Sequence, residues 1–462
     1  MNGEGGRGVD QTGAFLMPAP VFLSLCDYPA YRNGSYAVQR CHAYHGIDYY
    51  GNYAGRLQRG YTFREETEMN RNHDFQIVNT STAHQANRKT LLACIRSEGP
   101  LSRAELARKL HVPSGTISRV SKILQELGLL REQKEEPTGQ VGRPPILLDM
   151  APDFGSFLGI EFGPLLTRVL ATDFRGAVLW REARATNDLG DDPTEGLADY
   201  VVELVSRNFE GSDLPPLRGV GCGISGSLSR GTGEVIRGFL PDGVRPGEAL
   251  EDAVGVPVCV ENDANLAVVA EMEWIQDVVP TDVVCLLDRG WVGAGLYING
   301  ALYRGWRNVA GELSASIDAD SAPFLESFTL ERILQEQGRQ VTIPPSPPRT
   351  EKFAELAAAT REGDRDAEGL LRYVSERFAR ALYRLALLFD PQLLVVSGDW
   401  TETGELGEEL LTGSYEQLWE ETGYVGKLDT PEVRFSRLGQ DAVTLGACAA
   451  IMDRVSSEVI ED

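Results

Sequence analysis

The stretch PVCVENDANLAV at residues 257–268 carries the residue types best placed to do chemistry. A short apolar run delivers Glu261, Asn262 and Asp263 to the point where a helical pattern begins. A carboxylate at such a strand end faces the crevice where α/β proteins bind ligands, and it can accept two hydroxyls or take a proton. Asn262 beside it can both donate and accept. Asp263 also stands where a helix N-cap would, so a purely structural role fits the same position. Upstream, Gly221-Cys-Gly223-Ile-Ser-Gly226 matches G-x-G-x-x-G, but a dinucleotide site needs a helix directly after it, and SLSRGTGEV continues as a Gly-rich loop. These glycines read as turn residues packing against a cleft or a neighbouring strand. Ser225 lacks the full G-x-S-x-G elbow. All five histidines (42, 45, 73, 84 and 111) precede residue 112, so the rest of the chain has no imidazole for a triad, a general base or a metal site. Chemistry there rests on carboxylates.

The elements that must position these groups follow from patterning. The 462-residue chain is long enough for two or three domains. It has no run of 18 apolar residues, and MNGEGGRGVDQ has neither a basic n-region nor an apolar h-region. The seven cysteines (26, 41, 94, 222, 259, 285 and 448) are scattered without a C-x-x-C pair. A cytoplasmic protein is expected, with no membrane association. The net charge of −24 is uneven: residues 1–83 sum to −1, residues 84–145 carry 11 basic and 6 acidic side chains, and residues 146–462 carry 26 and 54. One basic module is thus joined to an acidic body, and like-charge repulsion would keep that body off a phosphate backbone. Residues 1–83 hold eight of the fifteen tyrosines without sustained periodicity. They are assigned no fold, and read as a disordered extension or as sequence ahead of a translation start near Met69.

The basic module spans 84–148. Leu91, Leu92 and Ile95 share one helical face before Gly99-Pro100. Ser102 and Glu105 form a capping box for SRAELARKLHV. A third helix follows Pro113, with Ser114 as N-cap and Ile117, Val120, Leu124 and Leu127 at helical spacing. Residues 129–148 read as a β-hairpin wing. This is a winged helix-turn-helix. Ser114, Thr116, Ser118, Arg119 and Lys122 lie mostly off the apolar stripe of the third helix, where base edges and phosphates would be met. Arg143 in GRPP sits on a proline-stiffened arm suited to a phosphate or a narrow minor groove. The body, 153–458, opens with a β-meander, and strands then alternate with helices, an α/β pattern.

ENDAN followed by NGALYRG and AGE, together with GIEFGPLLTRVLATDFRG, VGCGISG, FDPQLLVVSGD and LGACAA, resembles the ROK family of sugar kinases and sugar-responsive repressors over about residues 84–455. The resemblance implies an actin-like (ribonuclease H-like) fold of two α/β subdomains with a sugar in the cleft between them. It assigns Asp263 the position of the kinase base, beside Asn262, and makes Glu312 and, across a gap, Glu326 further sugar-contacting carboxylates.

Departures from the family pattern decide the expected function. Kinases of the family grip ATP phosphates with D-x-G-G-T, where this chain has Glu161-Phe-Gly163-Pro164-Leu165; Pro164 removes an N–H donor and Leu165 a hydroxyl. The second phosphate loop reads Arg289-Gly290-Trp291, and Trp291 would occupy space a phosphate needs. The family's zinc-binding His aligns with Ala315, and the cysteines that follow it are missing. Neither ATP nor zinc is expected as a cofactor, and Asp263 is expected to bind without catalysing. The expectation is a homodimeric (or dimer-of-dimers) transcriptional repressor of carbohydrate-metabolism genes, with operator DNA and a sugar effector as partners. The alternatives are a sugar kinase that kept a DNA-binding module and a ligand-independent regulator with a degenerate cleft.

Overall fold

The computed structural model describes residues 84–134, 146–274, 280–289, 292–313, 349–422 and 429–461. Residues 1–83 and the site expectations at Arg143, Gly290, Trp291, Ala315 and Glu326 lie outside them.

The N-terminal module comprises α1 (His84–Glu98), β1 (Leu101–Ser102), α2 (Arg103–Lys109), α3 (Ser114–Glu126), β2 (Leu130–Lys134) and β3 (Ile146–Met150). The strands form an antiparallel sheet in the order β1-β3-β2. The capping box of α2 is present in full: Ser102 Oγ accepts from the Glu105 amide and Glu105 takes the Ser102 amide. The expected cap of α3 is corrected. Pro113 occupies the N-cap position without a side-chain bond, and its carbonyl accepts the Thr116 amide at 2.9 Å. Ser114 is the first helical residue, and its side chain is exposed to solvent.

The body repeats one plan twice. In the first lobe, β4 (Ser156–Phe162), β5 (Leu166–Asp173) and β6 (Val178–Ala185) form an antiparallel meander; α4 (Pro193–Phe209) leads to β7 (Leu217–Ile224), parallel to β4. A small hairpin, β8 (Gly226–Leu228) and β9 (Val235–Gly238), and helix α5 (Pro246–Val254) precede β10 (Val258–Asn262), parallel to β7, and α6 (Asp263–Trp274). The second lobe has the meander β11 (Val283–Asp288), β12 (Val292–Ile298) and β13 (Ala301–Leu302), helices α7 (Arg349–Arg361) and α8 (Arg365–Phe389), β14 (Leu393–Gly398), α9 (Glu405–Thr422), β15 (Glu432–Phe435) and α10 (Ala442–Glu461). Its sheet order, β13-β12-β11-β14-β15, mirrors the β6-β5-β4-β7-β10 order of the first. Strands buried on both faces, such as SFLGIEF, VVCLLD and LLVVSG, read as continuous apolar runs for this reason.

Helices α6 and α10 lie between the sheets, α6 on β11 and β12 and α10 on β4 and β7, and they pack on each other. This layer explains the glycine pattern of β7. A Cβ on Gly221 would stand 2.1 Å from the Ala447 carbonyl of α10, and one on Gly223 would meet Val443 and Leu266 side chains. Both are strand residues, not turn residues, and they are small because a helix lies against them. Among the described residues no helix is long and apolar enough to cross a membrane.

Candidate functional site

Strand β10 delivers Asn262 and α6 begins with Asp263. The capping role falls to Asn262, whose Oδ1 accepts the Asn265 amide at 3.1 Å while Nδ2 donates to the Gly226 carbonyl at 3.1 Å. Asp263 is buried. Its Oδ1 accepts the Ala264 amide at 2.8 Å and its Oδ2 accepts the Ser225 hydroxyl at 2.5 Å. Burial is the largest influence on its carboxyl; the Ser225 hydrogen bond opposes it, and nearby Glu161 and Glu312 add to it, leaving the pKa pushed up to about 7. Glu261 is fastened instead of free: Oε1 accepts from Asn265 Nδ2 at 3.0 Å, and Oε2 meets Arg304 Nε at 2.7 Å. Glu312 reaches the same cleft from the loop after β13. Gly311, with φ +87°, turns the chain there, and a Cβ on it would collide with the Ala294 carbonyl at 1.8 Å. Burial raises the Glu312 carboxyl, against the Ser227 hydrogen bond and the Arg237 charge. Asn262, Asp263 and Glu312 are therefore brought together.

The two segments that resemble phosphate loops meet each other directly. Arg289 follows β11 in the second lobe, and its buried guanidinium contacts Glu161 of β4 (Nε to Oε1, 2.7 Å) and Asp399 after β14 (Nη1 to Oδ1, 3.0 Å). It also donates to Gln440, to Oε1 at 2.5 Å and to the backbone carbonyl at 3.0 Å. Arg168 of β5 donates to the same Glu161 oxygen at 3.1 Å. Burial alone would favour loss of the Arg289 proton, but Glu161 and Asp399 outweigh it, and the group is held charged. In the turn after β4 the Gly163 amide bonds the Leu166 carbonyl at 3.3 Å, the Gly163 carbonyl takes the Thr186 hydroxyl at 2.7 Å, and Pro164 has no amide to offer. Leu165 is largely exposed. Among the described residues no group of three or more His, Cys, Asp or Glu side chains is arranged to hold a metal ion.

In the N-terminal module, Ile117, Val120 and Leu124 are buried, while Ser114, Ser118, Arg119 and Lys122 are exposed on the opposite face of α3 and Thr116 is half-buried. Ser114, Ser118 and Lys122 follow at four-residue spacing, one line along a helix. Lys122 shares its charge with Glu126 at 3.6 Å.

Sequence reasoning passed over two participants. Ser225 was weighed only as a nucleophile, whereas its position at the end of β7, one strand from β10, makes it the hydroxyl partner of Asp263. Arg289 enters the sequence reading only as part of an altered phosphate loop. The signal for each is a polar residue just past the C-terminal end of a buried strand, β7 for Ser225 and β11 for Arg289.

Residues 157–454 match the ROK family profile and residues 86–136 the MarR family profile. The chain is 22% identical to the xylose repressor of Caldicellulosiruptor bescii over 401 residues, 82% of this chain and 98% of that one. It is 34% identical to the beta-glucoside kinase of Listeria innocua over 178 residues, 37% of this chain and 58% of that protein. Among solved structures, a ROK family transcriptional regulator, a homolog of the E. coli MLC protein, superposes with a TM-score of 0.64 at 20% identity, covering 82% of this chain and 99% of that one. A ROK family glucokinase from Streptomyces griseus in complex with glucose and AMPPNP gives 0.53 at 22% identity over 64% of this chain and 99% of its own. At these identities the superpositions establish the shared fold.

Proposed function

The chain belongs to the ROK family, and we propose that it is a DNA-binding transcriptional regulator, a repressor whose body senses a sugar or sugar derivative without phosphorylating it. The observation that carries the reading is the joining of a winged helix-turn-helix to a sugar-kinase-type body whose two phosphate loops are ion-paired to each other through Arg289 and Glu161. A guanidinium held by two buried carboxylates lies in the segments that the family resemblance assigns to phosphate binding, and the Gly163 amide is bonded to the Leu166 carbonyl, which supports a body without a nucleotide. The clasp supports a regulator that works without ATP, and Ala315 in place of the family's histidine supports one that works without zinc. Asn262, Asp263 and Glu312, with Glu326 from outside the described residues, are proposed to hold the sugar hydroxyls. Ser114, Thr116, Ser118, Arg119 and Lys122 are proposed to enter the major groove, with Arg143 on a flanking phosphate. The proposed boundaries are 84–148 for the DNA module and 153–458 for the sensor. The relatives named xylose repressor support control of carbohydrate-metabolism genes in the cytoplasm as the biological setting. A homodimer or dimer of dimers supplies the two-fold symmetry that an operator with paired half-sites requires.

Gel-shift titration at fixed salt tests the DNA half of the proposal. Arg119→Ala is expected to weaken operator binding strongly, and unchanged affinity sinks the assignment of α3. One observation favours a kinase: Asp263, with its pKa near 7, is poised as a general base would be. ADP release across pentoses, hexoses and N-acetylhexosamines decides between them, since turnover abolished in Asp263→Asn would make the chain an enzyme.

A further inference from the structure

Helix α6 begins in the cleft and ends at the DNA-binding module. Its first residue, Asp263, is the proposed sugar carboxylate; its eleventh, Glu273, is ion-paired with Arg96 of α1 at 2.7 Å. Ten residues of α-helix separate the two, a rigid span of about 15 Å. Arg96 bonds Asp453 of α10 as well, and its side chain is only 8% exposed. Burial by itself lowers the pKa of this guanidinium, but Asp453 and Glu273 outweigh the effect and its pKa is raised. A buried cation shared by two helices of the body and one of the DNA module ties the three together, because separation from either carboxylate weakens the compensation of a buried charge.

The surroundings make the junction one piece. Leu91, Leu92 and Ile95 of α1 share a buried cluster with Ile117, Val120 and Leu124 of α3 and with Ile451, Met452 and Val455 of α10. Lys89 meets Glu461 at 2.6 Å, and Arg88 donates to the Ile460 carbonyl at 3.1 Å. Arg175 in the β5–β6 turn pairs with the buried Asp149 of β3 at 3.3 Å. A small cavity of about 150 Å³ lies beside the ion triad, lined by Arg96, Arg175, Glu273, Trp274, Phe174 and Met452. Residues of α1, α6 and α10 line this cavity together, and α1 packs directly on α3, so a displacement of Glu273 is passed to both.

We infer that α6 is the rod that carries the state of the cleft to the DNA-binding module, with Arg96 as the positioning residue that fastens its far end. This rests on the proposed reading of the cleft as an effector site, and deepens it. Hydrogen–deuterium exchange of the full chain tests the coupling without a ligand. In Arg96→Met, amides of α1 and those at the cleft end of α6, residues 263–266, are expected to exchange roughly tenfold faster, while β14, Leu393–Gly398, stays at the wild-type rate. Arg96→Lys, which keeps the charge, restores most of the protection. Faster exchange confined to α1, or a uniform rise that includes β14, overturns the coupling by reducing Arg96 to a local tether or a general stabiliser. Glu273→Gln supplies the same comparison from the body side should Arg96→Met not fold. Thermal shift over a panel of pentoses, hexoses and N-acetylhexosamines judges the effector reading separately. A panel with no response removes the effector and leaves the exchange result to decide the rod.

Discussion

Asp263→Asn should make the protein more stable at pH 8 than the parent and leave it nearly unchanged at pH 4. The carboxyl moves from its ordinary value of 3.8 to about 7 on folding, chiefly through burial, with Glu161 and Glu312 adding to it. A raised carboxyl pKa means that the folded state binds the proton more tightly. Between these two values the native state holds more protons than the unfolded chain, so the stability this group contributes is complete below about pH 4 and is lost as pH rises through 7. About three units at 1.36 kcal/mol each give an upper limit near 4 kcal/mol of destabilisation by the ionised group. Asparagine keeps the shape, with its Oδ1 accepting the Ala264 amide and its Nδ2 donating to the Ser225 hydroxyl oxygen, but carries no charge to desolvate. For a body of this size the difference corresponds to a melting temperature higher by roughly 10 °C at pH 8. The assay is differential scanning calorimetry of both proteins from pH 4 to 8. A gap that stays constant across that range refutes the reasoning, since it would mean that Asp263 titrates alike in the folded and unfolded chains.

Three further outcomes are expected. Arg289→Met takes one buried cation from Glu161 and Asp399, leaving Glu161 with Arg168, and should cost about 3 kcal/mol, with part of the loss recovered by Glu161→Gln in the same chain; additive effects in a calorimetric double-mutant cycle would show that the pair is not coupled. Lys122→Ala should weaken operator binding across all sequences and flatten the slope of log affinity against log salt by about one, which a gel-shift salt series reads directly. Ser102→Ala removes the capping box of α2 and should destabilise the DNA module by about 1 kcal/mol, visible as a lower denaturant midpoint for residues 84–150 without a change in the cleft.

Most elements were legible because burial imposes a period. Val120 and Leu124 mark one face of α3, and the uninterrupted VVCLL and LLVVSG mark strands covered on both sides. The capping box of α2 was legible for a local reason, since both of its bonds lie within four residues. What escaped depends on contacts far apart in the chain. Gly221 and Gly223 announce that no side chain fits, but only α10, more than two hundred residues later, says why, and the turn expected there is a strand. Ser225 and Asp263 are 38 residues apart, and their pairing follows from β7 and β10 being neighbours in the sheet. The charge of Arg289 could be seen, but its partners at Glu161, Asp399 and Gln440 come from both lobes. Proline at the cap of α3 was missed because side-chain capping chemistry favours serine, whereas here the carbonyl of Pro113 closes the first turn by itself.

The clasp at Arg289 limits what an effector has to do. In a kinase-type body, nucleotide and sugar together could hold the lobes; here one end of the cleft is already cross-linked by the chain's own cation, through Glu161 on one sheet and Asp399 on the other. On the proposed reading a monosaccharide works only at the Asn262, Asp263 and Glu312 end. Hydrogen bonds to charged acceptors contribute about 1.5–3 kcal/mol each and neutral ones about 1, so a sugar spanning these three groups offers a differential on the order of 5 kcal/mol between two cleft states. That is close to the 5.5 kcal/mol needed to carry an equilibrium from 1:99 to 99:1. The burial of Asp263 fits this arithmetic, because a carboxylate costly to ionise when empty gains most from hydroxyls that solvate it. Sugar binding near pH 7 should therefore release a proton from Asp263. Titration calorimetry in two buffers of different ionisation enthalpy measures that release, and equal heats in both would remove Asp263 from the sensing step.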